Sequence, residues 1–432
     1  MRILHVVALI QASTGGPAVS VTRLASEQAK LGHEVTLVCL DYKHLGPQVA
    51  APGVRMVSVP GGFLAVHGRG WSSKFRRVVL EEARKADIVH NHGLWMWPNA
   101  YAREAAVATG KPLVISPRGM LESWSMNRSK LRKAVAWRLF ERKNLRSAAM
   151  FHATAESEAE SIRHTAESIR RKAGGGTGQG TGDRRQEAVP IVVAPNGVDL
   201  PDLAKSPGRK SIEEKFPQLR GRRWVVFMSR LHPKKGIDVL LRAWGMRQRT
   251  TGRQDDRTTG QEAKDAESSG PMVQWSHSPI LIIAGPDLVG YRREVERMVR
   301  EIGLEDSVVL TGEMRGMAKD ALLANAEVFV LPSYSENFGI VVAEAMAWGR
   351  PVITTTGTPW QEVAEVGAGW WVKPEEGEVA RALGEALGKG REELNAIGAR
   401  GRALVAERYG WRVPAERLVS VYEDALGRRH AA

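Results

Sequence analysis

The 432 residues include a single cysteine, Cys39. One thiol excludes an internal disulfide and any cysteine-built zinc site, and it points to a reducing compartment. No run of about 18 apolar residues occurs, so no segment reads as a membrane-spanning helix. The opening MRILHVVALIQ carries one positive charge and a short apolar run with no small-residue cleavage pattern. It reads as a buried first strand, not a secretory leader, and a cytoplasmic location is expected. Also missing are the G-x-G-x-x-G dinucleotide fingerprint, an Asp-x-Asp pair after a strand, zinc-finger spacing and an aromatic RNA-binding signature. Acids are outnumbered: Lys and Arg total 62 against 48 Asp and Glu, a formal charge of +14.

What is present is an ordinary globular balance, 43% apolar and 25% charged, in a chain long enough for two or three domains. That excludes wholesale disorder, collagen and coiled coil. The positive surplus is concentrated between Arg128 and Arg146, where eight bases face one acid, Glu141, with Leu131, Val135, Trp137, Leu139 and Phe140 between them at helical spacing. Two readings of this basic amphipathic helix stay open: a solvated face over a core-facing stripe, or a helix lying on an anionic membrane surface. A nucleic-acid partner is not expected.

Apolar runs alternate with helical patterns along both halves, from Ile3–Leu9 to Ile191–Ala194 and again from Trp224–Ser229 to Gly369–Val372. Nearly continuous apolar strands separated by helices predict parallel sheets covered on both faces. The fold class expected is α/β, with two doubly wound, Rossmann-like domains facing each other across a cleft. The expected boundaries are residues 1–205, 206–410 and a last helix over 411–432 that crosses back to the first domain. Two stretches break the pattern. Residues 173–189 hold six glycines and read as a flexible loop, and residues 247–270 are polar and read as an unstructured insertion. AESIR occurs at 159–163 and again at 166–170, which reads as one lengthened helix.

In open α/β sheets ligands sit beyond the carboxyl ends of the strands, against helix N-termini, so the residues just after each strand are the informative ones. After the first strand comes STGGPA (13–18), where Gly16 lets backbone approach an anion or simply forms a turn. SRLHPKKGID (229–238) places Arg230 and Lys235 around a proline loop, cations suited to a diphosphate whose charge grows as a bond breaks. PSYSENFGIVVAEAMAWGRPVI (332–353) puts Glu336 before a helix and Glu344 inside it, with Gly339 and Ile340 at the helix start. Amides there suit phosphate oxygens, and acceptor-only carboxylates suit the hydroxyls of a polyol. Trp71, Trp95, Trp97 and Trp124 lie in first-half loops, where they stack on sugar rings or pack as core.

The order STGGP, DIVHNHG (87–93), SPRGM (116–120), TAESEAE, PNGVD, SRLHPKKG, AGP, LTG, LPSYSENFGIVVAEAMAWGRPVI resembles the retaining family 4 glycosyltransferases, bacterial enzymes of the GT-B fold. The resemblance runs from about Arg2 to Tyr422. It implies that Arg230 and Lys235 neutralise the donor diphosphate, that Glu336 binds hydroxyls of the donor sugar and Glu344 the ribose, and that Gly339 and Ile340 supply phosphate-binding amides. It further implies that Gly16 lies near the reacting centre and that a histidine of DIVHNHG lies near the donor sugar. Strand alternation puts His90 and His92 on one side, and His92 is preferred as nearer the strand end. Arg118 stands where many relatives have histidine and is expected to meet acceptor or phosphate. The implied activity is transfer of a sugar from a UDP- or GDP-sugar to a saccharide or lipid-linked saccharide in exopolysaccharide, lipopolysaccharide or glycolipid synthesis. Retention of configuration, no cofactor and no metal are expected. The rival readings are a nucleotide-sugar epimerase of the same fold and a basic sugar- or nucleic-acid-binding protein without turnover.

Overall fold

The computed structural model describes residues 1–14, 16–122, 125–126, 130–171, 189–258, 279–336 and 338–430. The chain forms two compact units, Met1–Gly197 with Tyr409–Ala432, and Val198–Arg408.

The first unit is built on seven parallel strands: β1 (Arg2–Val7), β2 (Glu34–Asp41), β3 (Arg55–Pro60), β4 (Ile88–His92), β5 (Leu113–Ser116), β6 (Met150–Ala153) and β7 (Ile191–Val193), in the order β3-β2-β1-β4-β5-β6-β7. Side chains alternate between the faces of a strand, so each face builds its own core. Leu4, Val6, Val89 and Ile115 join one cluster, and Ile3, Val7, Ile88, Val114 and Met150 join the other. The second face is covered by the helices Gly16–Lys30 and Arg412–His430, the latter seating Ala415, Leu418 and Tyr422 at spacings of three and four. By the same alternation His5, His90, His92, Ser116 and His152 all fall on this face.

The second unit holds six strands: β8 (Trp224–Met228), β9 (Ile280–Ala284), β10 (Val308–Gly312), β11 (Val328–Leu331), β12 (Val352–Thr355) and β13 (Gly369–Val372). They are ordered β10-β9-β8-β11-β12-β13 and are all parallel. Their interiors are buried throughout β8, β9 and β11, as the continuous apolar runs require.

Two expectations need correction, and two readings left open meet their observations. The junction falls at Gly197/Val198, not after residue 205, and the return to the first unit comes at Tyr409, not 411. Residues 198–207 are tied to the second unit: the Pro201 carbonyl accepts from Arg402 at 2.8 Å and the Pro207 carbonyl from Asn325 at 2.8 Å. The segment expected to be unstructured from residue 247 instead continues the helix Ile237–Thr258 as far as Thr258. The remainder of that insertion, residues 259–270, and the glycine-rich loop over 172–188 lie outside the described residues. The basic segment is helical from Lys130 to Arg146, with a π-helical turn at Trp137–Glu141. Its apolar residues do not form one core-facing stripe: Phe140 is buried, whereas Leu131, Val135 and Leu139 are 85%, 57% and 57% exposed. Finally, Trp95 and Trp97 belong to the core with Phe140 and Tyr101, while Trp71 is exposed and Trp124 lies outside the described residues.

Candidate active site

In each sheet the strand order reverses once, between β1 and β4 and between β8 and β11. A doubly wound sheet opens a crevice at that point because the connections leave in opposite directions.

In the second unit the loops after β8 and β11 meet there. The Tyr334 amide donates to the Lys234 carbonyl at 2.9 Å, and the Tyr334 hydroxyl donates to Asp238 at 2.9 Å. Gly236 has φ +67°, and a Cβ on it would run into the Pro332 carbonyl oxygen, so the loops close only over glycine. This contact brings Lys235 and Glu336 together as an ion pair with side chains 9% and 13% exposed. Glu336 is fixed through its amide, which donates to the Gly357 carbonyl at 2.7 Å. Gly339, at φ +70°, caps the helix Ile340–Ala347, and Trp360 Nε1 donates to the Phe338 carbonyl at 2.5 Å just before it. The first amides of a helix have no intrahelical acceptor, so the start at Gly339 and Ile340 offers donors to an anion. Arg230 is exposed on the same loop and pairs with nothing among the described residues. Glu344, one turn into the helix, is bonded to Lys319 at 2.6 Å. Burial pushes the Glu344 carboxyl up against the pull of Lys319. Sequence reasoning had no reason to single out Lys319.

In the first unit the strand ends gather His92, Arg118 and a set of buried polar groups. Gly16 opens the helix Gly16–Lys30, and a Cβ there would meet open space, so neither φ nor crowding demands glycine at that position. Arg118 sits in left-handed backbone at φ +57°, followed by Gly119 at +74°. A non-glycine residue there is strained and needs its surroundings to hold it. Glu158 does so, accepting from the Gly119 amide at 2.5 Å and the Thr154 amide at 2.7 Å. Arg118 Nη1 donates to Asn196 of PNGVD at 2.7 Å, and Nη2 lies 3.2 Å from His92 Nδ1. Burial lowers the guanidinium to about 10.

The rings of His90 and His92 lie tilted against each other on one face, centres 4.0 Å apart, and it is His92 that meets Arg118. His92 Nε2 lies 2.8 Å from His5 Nδ1, whose Nε2 lies 2.7 Å from Gln28 Oε1. His90 lies 2.6 Å from Ser116 Oγ, which is 2.6 Å from His152 Nδ1, and Tyr422 reaches His90 Nδ1 at 2.5 Å. Burial, reinforced by Arg118, lowers all four imidazoles, to about 4 for His5 and about 3 for His152. Among the described residues His5, His90 and His92 are the one trio whose ligand atoms lie close enough to share a metal ion. Their ring nitrogens already have partners, so the trio reads as a hydrogen-bonded cluster. His5 was visible in the sequence as a polar residue inside an apolar strand, whereas Tyr422 carried no signal.

Residues 15–171 match the model of the glycosyl transferase 4-like domain, and residues 271–404 that of glycosyl transferases group 1. Among curated relatives, GDP-mannose:cellobiosyl-diphosphopolyprenol alpha-mannosyltransferase of Xanthomonas oryzae is 25% identical over 99% of this chain and 98% of its own. MMP alpha-(1->4)-mannosyltransferase of Mycolicibacterium hassiacum is 33% identical over 31% of this chain and 33% of its own. D-inositol 3-phosphate glycosyltransferase of Nocardia farcinica is 30% identical over 56% and 49%. The matches thus span about a third to a half of the latter two relatives. The fold is shared with Anabaena HepE in complex with UDP and glucose, at TM-score 0.67 and 17% identity over 98% of this chain and all of that one. Sucrose-phosphate synthase of Thermosynechococcus elongatus shares it too, at TM-score 0.64 and 18% identity over 99% and 100%. With one match in each unit, the chain belongs to the group 1 glycosyltransferases, with a glycosyl transferase 4-like first domain.

Proposed function

We propose that the protein transfers a sugar from a UDP- or GDP-sugar to a saccharide or lipid-linked saccharide acceptor with retention of configuration. No metal at the donor diphosphate and no organic cofactor is part of this reading. The observation that carries it is the gathering of Lys235, Glu336 and the glycine-capped helix start at one switch point. Without donor, Lys235 and Glu336 neutralise each other. With donor, the ammonium, Arg230 and the amides of Gly339 and Ile340 face the diphosphate, and Glu336 accepts from sugar hydroxyls. Glu344, beside Lys319, holds the ribose hydroxyls. The departing phosphate oxygen takes the acceptor's proton on the face it leaves, so no protein carboxylate is needed as nucleophile, unlike a retaining glycosidase. His92, with Gly16 at the other strand end, faces the transferring sugar, and Arg118 binds the acceptor side.

The Xanthomonas relative is named for a diphosphopolyprenol-linked acceptor, which supports cell-envelope polysaccharide or glycolipid synthesis as the setting. The exposed Leu131, Val135 and Leu139 among the bases of 130–146 support a peripheral place on the anionic inner face of the cell membrane. The test is release of nucleoside diphosphate from a panel of UDP- and GDP-sugars with extracted lipid-linked acceptors, and the anomeric coupling of the product. Release with the donor's configuration kept is expected. Binding without release indicates a binding protein, and donor altered without acceptor indicates an epimerase.

A further inference from the structure

The polar cluster on the covered face of the first sheet has two ends whose hydrogen-bonding roles are fixed by their chemistry. Arg118 has only donors, and the Ala194 carbonyl can only accept. His92 Nδ1, facing Arg118 Nη2 at 3.2 Å, must accept, so a neutral His92 carries its proton on Nε2 and donates it to His5 Nδ1 at 2.8 Å. His5 then donates from Nε2 to Gln28 Oε1 at 2.7 Å. From the other end, His152 Nε2 donates to the Ala194 carbonyl at 2.9 Å, so its Nδ1 accepts from the Ser116 hydroxyl at 2.6 Å. Ser116 accepts from His90 Nε2 at 2.6 Å, and His90 Nδ1 accepts from the Tyr422 hydroxyl at 2.5 Å. The two arms join where Gln28 Nε2 donates to the Tyr422 oxygen at 3.5 Å, the longest link. Both ends impose one direction on every link, and all four histidines come out as neutral Nε2–H tautomers. His5, Gln28, His90, His152 and Tyr422 are buried, so water cannot replace a lost partner.

We propose that His5, Gln28 and Tyr422 are positioning residues for the half-site at the ends of β4 and β5. The directed chain of hydrogen bonds presents His92 with its bare Nδ1 toward Arg118, and Arg118 is thereby held where it meets the acceptor. The positioning of Arg118 stands on the geometry alone, and its effect on transfer rests on the glycosyltransferase reading. The helix Arg412–His430 is part of the site through one hydroxyl, although it touches no substrate. Removing the acceptor at residue 5 leaves the buried His92 Nε2–H without a partner, so the ring loses what holds its Nδ1 toward Arg118.

Long-range proton–nitrogen spectra of the full-length protein, labelled at histidine, read the tautomers directly at pH 7. Four neutral Nε2–H imidazoles are expected at residues 5, 90, 92 and 152. His5→Leu moves the His92 signals and lowers sugar transfer about tenfold or more at saturating donor, with donor KM unchanged. His5→Gln can still accept from His92 and donate to Gln28, and it restores both readouts. Tyr422→Phe shifts His90 and lowers transfer in the same way. A charged or Nδ1–H imidazole at any of the four positions overturns the proposal. So does stoichiometric binding of zinc, which requires free ring nitrogens, or a folded His5→Leu or Tyr422→Phe with the spectrum and turnover of the parent. A parent protein that transfers no sugar overturns the activity reading, while the His92 signals of His5→Leu and His5→Gln still decide the positioning.

Discussion

Lys235 with Glu336 and Glu344 with Lys319 are both carboxylate–ammonium pairs in the folded chain, yet they predict different failures. A cation facing the leaving diphosphate meets more charge in the transition state than in the ground state, so Lys235→Ala and Arg230→Ala should lower kcat about 100–1,000-fold, with calorimetric donor affinity changing far less. In the proposed role Glu344 holds a ribose that does not change during reaction, so Glu344→Ala should weaken donor binding with kcat nearly kept. Near-normal turnover of Lys235→Ala at saturating donor would remove the diphosphate role. Gly236→Ala tests the loop contact itself: at φ +67° against the Pro332 carbonyl the methyl has nowhere to go, and loss of donor binding together with a lower Tm is expected. The histidines add a pH dependence. Burial holds His5 near 4 against about 6.5 in the unfolded chain, so the unfolded state binds the extra proton between those values. The contribution is therefore intact above about pH 6.5 and lost as pH falls toward 4, on the order of 3 kcal/mol for His5 alone. Hydrogen exchange should show the amides of β1 and β4 losing protection between pH 7 and pH 5, with those of β8 and β11 unmoved. These residues were unequally legible. Lys235, Glu336 and Glu344 were readable because they follow strands in a fixed order of loop and helix. Lys319, which holds Glu344, was not, because a contact closed by the fold leaves no mark in the local sequence.

Strand positions were the most legible part of the chain, since an apolar run covered on both faces admits few other structures. Helix faces were less so. The basic stretch over 130–146 has helical periodicity, but its direction depends on what the sheet leaves uncovered, and a π-helical turn at 137–141 rotates the pattern midway. Phe140 and Glu141 turn inward, and Glu141 accepts from the Trp95 amide at 2.7 Å, where burial raises its carboxyl to about 7. Leu131, Val135 and Leu139 turn out among Arg132, Arg138 and Lys143. On anionic vesicles the protein should float at low salt and be released as salt rises, each nearby base contributing about 1 kcal/mol. Replacing the three exposed aliphatic residues by serine should weaken flotation without changing Tm. Equal flotation on neutral vesicles would take away the electrostatic part of the reading.

The connection between the units was the least legible of all. A split at 205 suits a proline- and lysine-containing stretch, but a boundary belongs to the unit whose side chains hold the backbone, and Arg402 and Asn325 hold 198–207. A chain stopped at residue 408 should keep a cooperatively folding second unit, with its strands protected from exchange. Its first unit should expose the face that Trp411, Leu418 and Tyr422 cover, binding a hydrophobic dye that the full chain does not bind. The same arrangement has a consequence during synthesis. The segment that completes the first unit is made after the entire second unit has been added to the chain, on the order of ten to forty seconds later at usual translation rates. Until then the four histidines, Gln28 and Ser116 stand beside an open groove where water can serve them. The half of the protein that leaves the ribosome first is therefore finished last, and its chain of hydrogen bonds closes only once Tyr422 has arrived to expel that water.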